Sequence, residues 1–226
     1  MIAVAGGKGG SGKTTTTLGL ARALSRRGAA AVAADADWDL PNLAPLAAEV
    51  TDGAGATGER DRRTVVDAAR NRGTVSPGRA APAVFAAPDD PEAVDPAPTF
   101  EALRSAIPDD APTLLDCPAG ASPDAAAPLR AADRSLLVTP LRRSALRDAA
   151  KTAAIARRLD CPPLGVVAVR ASSVPDPVAD LLGCPVLGRI PAAAPSPLSD
   201  PAVRSAHDDL ARRLARGYGA ERWLVA

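Results

Sequence analysis

The feature that most constrains this chain is one short run, Gly7-Lys8-Gly9-Gly10-Ser11-Gly12-Lys13-Thr14. An apolar segment, Ile2–Ala5, precedes it and reads as a buried strand. Behind it, Leu18, Ala21 and Leu24 recur at helical spacing until Gly28, so Thr14 to Arg27 reads as a helix. The pattern G-x-x-x-x-G-K-[ST] between a strand and a helix is that of a phosphate-binding loop. Glycines let the backbone curl with its N–H groups pointing inward. The helix start adds about half a positive charge at the same place. Gly7 through Thr14 are therefore expected to cradle a nucleotide's phosphates. Lys13 should reach the β- and γ-phosphates, the Thr14 hydroxyl should ligate Mg²⁺, and Thr15 should touch the α-phosphate.

What surrounds the loop reads as one α/β domain over residues 1–226, with Gly217–Ala226 as a short tail. Further strands are expected at Ala29–Ala34, Ala83–Ala87, Thr113–Asp116, Ser135–Val138, Gly165–Val169 and Pro185–Ile190. Helices are expected at Phe100–Ile107, Ser144–Leu159 and Pro201–Arg216, and Pro77–Pro98 reads as loop around a strand. Strands alternating with helices predict a three-layer α/β/α fold with a mostly parallel central sheet. The apolar fraction of 46% is mostly Ala and Val, with aromatics at 2%, which suits helices packed close on such a sheet.

Charge excludes some classes. With 27 basic and 26 acidic residues the net charge is +1, so no global field draws the chain to nucleic acid or acidic membrane. The three cysteines, Cys117, Cys161 and Cys184, are far apart and form no C-x-x-C pair, which argues against a zinc site or disulfide framework. No secretory signal and no membrane-length apolar run is visible, so a cytoplasmic location is expected, peripheral to membrane or nucleoid if a surface is bound.

Among the basic residues the only lysines are Lys8, Lys13 and Lys151. Two in one loop, in a chain that otherwise uses Arg, point to chemistry that needs a compact ammonium. The order G-K-G-G-x-G-K-T-T is the deviant Walker motif, and on these residues the chain resembles the ParA/MinD family of dimeric P-loop ATPases. Asp35-Ala36-Asp37-Trp38-Asp39-Leu40-Pro41-Asn42-Leu43 is similar to the MinD-type switch I, D-x-D-x-x-x-x-N-L, making that branch the nearest in pattern. Thr113-Leu114-Leu115-Asp116-Cys117-Pro118-Ala119-Gly120 is similar to the family's Walker B strand and switch II, D-x-P-x-G.

The resemblance implies a P-loop NTPase fold and ATP with Mg²⁺ as ligands. It implies that Lys8 serves the partner's phosphates across a nucleotide-sandwich homodimer, and that Asp37 positions the attacking water. Asp35 and Asp116 would support the magnesium shell, and Gly120 would offer an N–H to the γ-phosphate. Arg189-Ile190-Pro191 matches the loop whose backbone lines adenine, with Pro191 against the base. The chain departs from the family at Val169, where an Asn often contacts the base.

The resemblance also implies a slow, partner-stimulated ATPase acting as a spatial or partitioning switch. The alternatives are a metallocluster carrier or cofactor-biosynthesis enzyme of the same superfamily, or a slow nucleotide-binding scaffold. A DNA surface would use Arg142, Arg143, Arg147, Arg157 and Arg158. A membrane surface would use the last helix, with Arg204, Arg212, Arg213 and Arg216 opposite Val203, Leu210 and Leu214, followed by Trp223, Leu224 and Val225. Solvated arginines and a core-packed last helix are the favoured readings of both features.

Overall fold

The computed structural model describes residues 1–51, 63–70, 78–120 and 123–217. Its first strand, β1 (Ile2–Gly6), is buried along its whole length. Successive side chains of a strand face opposite ways. Ile2 and Val4 accordingly enter one core cluster, and Ala3 and Ala5 another.

The remaining elements follow as α1 (Lys13–Arg26), β2 (Val32–Asp35), α2 (Leu43–Thr51), α3 (Val65–Arg70), β3 (Ala83–Phe85), α4 (Pro96–Ala106), β4 (Thr113–Ala119) and α5 (Pro123–Ala131). Then come β5 (Arg134–Pro140), α6 (Arg143–Arg158), β6 (Pro163–Val169), α7 (Pro177–Leu182), β7 (Val186–Ile190) and α8 (Pro201–Gly217). The sheet order is β3-β2-β4-β1-β5-β6-β7, and every described pairing is parallel. Helices α1, α2 and α8 cover the face of Ile2, Val4, Leu114, Leu136 and Val138. Helices α3, α4 and α5 cover the face of Ala3, Ala5 and Leu115, and α6 and α7 continue that layer over Leu137 and Val166. This is the expected three-layer architecture. It brings the carboxyl ends of β1, β2 and β4 together, which is where parallel α/β sheets bind ligands.

Boundaries moved for local reasons. Strand β2 starts at Val32 and not Ala29, because the Ala29 N–H closes α1 onto the Leu24 carbonyl at 3.1 Å. Helix α4 starts at Pro96 and not Phe100. Asp95 caps it by accepting the Ala97 N–H at 3.1 Å, and Pro96 sits in the first turn, where a missing N–H costs nothing. Among the described residues no helix is long and apolar enough to cross a membrane. Val203, Leu210 and Leu214 of α8 are buried in the core, and Trp223, Leu224 and Val225 lie outside the described residues.

Candidate nucleotide site

The loop between β1 and α1 has the backbone its sequence requires. Gly12 sits at φ 89° as the N-cap of α1 and supplies no side-chain cap. The first N–H groups of the helix are thus left for an anion. Lys13 is buried to 7% exposure. The Ser11 and Thr16 hydroxyls are buried without a hydrogen-bond partner among the described residues. A cleft of about 350 Å³ is lined by Gly10, Ser11, Gly12, Lys13, Thr14 and Thr15, and it also meets Val169, Ile190 and Pro191. Of the predicted phosphate residues, Gly10 to Thr15 share one cavity with the predicted base residue Pro191, whereas Gly7, Lys8 and Gly9 do not line it.

Gly7 has a different task. A Cβ there would lie 2.3 Å from the Asp148 Cβ and 2.6 Å from an α6 backbone carbon, so only glycine lets α6 press on the loop. This contact sets Lys8. Its side chain is 56% exposed and its Nζ lies 3.3 Å from Asp148 Oδ2, so it runs along α6. Lys8 beside Asp148 holds that carboxyl below the usual carboxylate range, and Lys151 adds to the effect.

Two carboxylates meet across the sheet, Asp35 at the end of β2 and Asp116 inside β4, which runs on to Ala119 and does not stop at Asp116 as expected. Asp35 and Asp116 are register partners on β2 and β4, and both are almost fully buried. Burial pushes Asp116 up to about 7, against the Thr14 and Thr17 hydroxyls and Lys13, which favour the charged form. The Thr17 hydroxyl donates to Asp116 Oδ1 at 3.2 Å. Burial likewise pushes Asp35 up to about 6. Asp35 also ties the following loop: Oδ1 accepts the Asp37 N–H at 3.1 Å and Oδ2 accepts the Leu43 N–H, at the start of α2, at 3.0 Å. Asp37 is half-buried. Burial raises its pKa, while the Leu40 N–H and the Lys13 charge act against that rise. Gly120, at φ 89°, gives its N–H to the Gly6 carbonyl at 3.1 Å. That N–H must leave Gly6 before it can meet a phosphate.

The donor set fits a magnesium nucleotide. Two adjacent carboxylates disfavoured as anions by burial call for a cation, and the hard oxygen ligands offered here suit Mg²⁺. The loop N–H groups, the unpartnered hydroxyls and Lys13 suit the phosphates. The Thr14 hydroxyl favours the charged form of Asp116, so the two lie where the hydroxyl would hold an ion and the carboxylate would order its shell.

The structure adds residues that carry no local signal. Arg170 follows β6 in the left-handed region, at φ 54°, and donates from Nη2 to the Gly10 carbonyl, 160 residues away. It and Asn42 join the cleft wall beside Val169. Other sequence features resolve otherwise. Arg157 donates to the Leu182 and Gly183 carbonyls at 2.8 and 2.9 Å and closes α7 instead of lying free on the surface. Arg142, Arg143, Arg147 and Arg158 are exposed on and beside α6. Cys117 is buried, and burial pushes its thiol up, so it presents no sulfur to a partner.

A parallel three-layer sheet, a glycine-rich loop opening a helix and paired carboxylates on adjacent strands define a P-loop nucleotide-binding protein. The comparisons narrow the class. The family model "CobQ/CobB/MinD/ParA nucleotide binding domain" matches residues 2–196, and the chain belongs to that family. No curated protein sequence shows significant similarity to it. Solved structures share its fold. Pyrococcus horikoshii septum site-determining protein MinD, complexed with Mg-ADP, is similar at TM-score 0.77 and 23% identity, over 96% of each chain. Pyrococcus furiosus cell division ATPase MinD is similar at 0.75 and 25%, over 95% of this chain and 98% of that one. The Aquifex aeolicus MinC:MinD complex is similar at 0.73 and 22%, over 95% of each.

Proposed function

We propose that this chain binds Mg-ATP, hydrolyses it slowly, and while ATP is bound closes on a second copy as a two-nucleotide sandwich. The observation that carries this reading is the pair of loop lysines. Lys13 is buried at the phosphate cleft, whereas Lys8 is turned outward on α6 and, among the described residues, held only by an ion pair with Asp148. Such a pair is weak and easily exchanged. Lys8 is thus available to a nucleotide held by another chain, where its charge would offset that developing on the transferred phosphoryl group.

The other residues take roles that follow from their places. Lys13 and the loop N–H groups hold the β- and γ-phosphates. Asp37, with one carboxylate oxygen tied to the Leu40 N–H, accepts a hydrogen bond from the attacking water through the other. Magnesium supplies charge neutralisation at the phosphates, with Thr14, Asp35 and Asp116 holding or ordering its shell. Gly120 exchanges Gly6 for the γ-phosphate and so couples nucleotide state to the loop beyond it.

A role in spatial organisation, through an activating partner protein, is the use of such a cycle that the family supports. The MinC:MinD complex shows one relative with a protein partner. A metallocluster carrier is less consistent with the chain, because Cys117, Cys161 and Cys184 are all buried. Lys8→Ala and Lys13→Ala separate the two lysine roles. By titration calorimetry, Lys8→Ala should keep ATP affinity and lose ATP-dependent dimerisation. Equal loss of ATP affinity in both variants would remove the role across the interface.

A further inference from the structure

We propose a second anion site in this protein, for a small phosphate monoester, at the end of α1 remote from the nucleotide, between Arg22, Arg26 and Arg204. Arg22 lies nine residues beyond Lys13 on the same helix, about 14 Å along the helix axis at the usual rise. A nucleotide on the loop therefore does not fill it.

The site is built by the packing of α8 on α1. Gly19 makes it possible: a Cβ there would lie 2.5 Å from the His207 ring, so the imidazole rests directly on the helix. This approach brings Arg204, in the first turns of α8, to Arg22 and Arg26, which are one helical turn apart on α1. Arg26 is satisfied by Asp208, through Nε at 3.1 Å and Nη2 at 2.6 Å to the same oxygen. Arg22 and Arg204 have no anionic partner among the described residues. The charge on Arg22 is disfavoured by burial first, then by Arg26 and Arg204, which places the three guanidiniums within one another's field. Like charges gathered without counter-ions destabilise a fold unless a ligand uses them.

The cavity gives the ligand its shape. The three arginines line a cleft of about 460 Å³ whose other walls include Leu18 and Val84. They also line a small adjoining recess with Gly19 and His207. His207 is 1% exposed; its Nδ1 lies 2.9 Å from the Val203 carbonyl, and its Nε2 is buried without a partner among the described residues. Two guanidinium charges remain after Asp208 has neutralised the third. A phosphate monoester carries close to that charge at neutral pH, whereas a carboxylate carries half of it. Guanidinium forks also match phosphate oxygens in pairs, and the apolar walls leave room for an organic body.

His207 is the only histidine in the chain, so its ring signals in NMR report on this site alone. The test uses the full chain with the nucleotide loop saturated by Mg-ADP, titrated with glycerol phosphate. A saturable shift of the His207 signals is expected, with sulfate and chloride much less effective at equal ionic strength. Arg22→Gln and Arg204→Gln should each weaken the binding roughly tenfold or more and leave ADP affinity unchanged. Vesicles carrying phosphatidic acid form a second arm. Binding to them without binding of glycerol phosphate, lost in the same variants, would support the site and assign its ligand to a lipid headgroup. No saturable shift in either arm, or the same shift in the doubly substituted chain, would overturn the proposal. ADP affinity is read in the same samples, so failure here is distinct from failure of the nucleotide site.

Discussion

At the scale of single residues, the account rests on charges placed where burial makes them costly. Lys13 sits almost out of water in the phosphate loop, close enough for its charge to act on Asp116 and Asp37. Its ammonium is expected to carry charge-assisted bonds to two phosphate groups. Lys13→Ala should therefore weaken ATP binding roughly a hundredfold or more, as calorimetry would show. His207 offers a second check. Burial holds its pKa down to about 4 from 6.5; Arg26 and Arg22 push the same way, while the Val203 carbonyl and Asp208 oppose them. The folded ring is thus neutral where the unfolded one is protonated. Its contribution to stability is intact above pH 6.5 and is lost as pH falls from 6.5 toward about 4. The loss is on the order of 3 kcal/mol. An NMR titration of the single histidine without phosphate should find the low pKa, and an ordinary value near 6.5 would show that the α1–α8 seam is open to water.

At the scale of elements, glycines let helices approach where a side chain would hold them off. Gly19→Ala would drive a methyl into the His207 ring at 2.5 Å. Overpacking of this kind costs roughly 1–3 kcal/mol. The thermal midpoint should drop by roughly 2–10 °C for a chain of this size, with nucleotide affinity little changed. The elements also show how much the sequence reveals. Strand β1, helix α1 and the first half of β4 were legible, because apolar runs and helical spacing are local and the loop motif fixes their order; the run of β4 on to Ala119, through Pro118, was not. Helix α2 was not, since the N–H of Leu43 at its start is held by Asp35 from eight residues earlier, which no local capping pattern records. Helix α5 carries Pro128 in its interior, and α7 spans only Pro177–Leu182, too short for a periodic stripe. In the candidate site, Lys13 and Thr14 are named by the spacing of the loop motif and Asp116 by the family resemblance, and the fold places the three near one another. Arg170 at the Gly10 carbonyl and Asp148 at Lys8 were not legible, because both contacts join segments that only the folded sheet brings together.

At the scale of the whole molecule, the single chain holds one half of the arrangement we propose. Its loop offers one nucleotide site, and Lys8 lies against Asp148 of α6, outside the cleft that Lys13 lines. In the proposed arrangement Asp148 would compete with the partner's phosphates for Lys8. Asp148→Ala should therefore lower the ATP concentration needed for dimerisation, as analytical ultracentrifugation would read, and should leave ATP affinity of the monomer unchanged. The most direct measurement is the mass in solution of Asp37→Ala with Mg-ATP. That variant keeps the phosphate cradle and loses the group proposed to position water, so ATP should persist and hold two copies together. The account predicts the mass of two chains with Mg-ATP and of one chain with Mg-ADP. One chain in both, at an ATP concentration that saturates the loop, would contradict it.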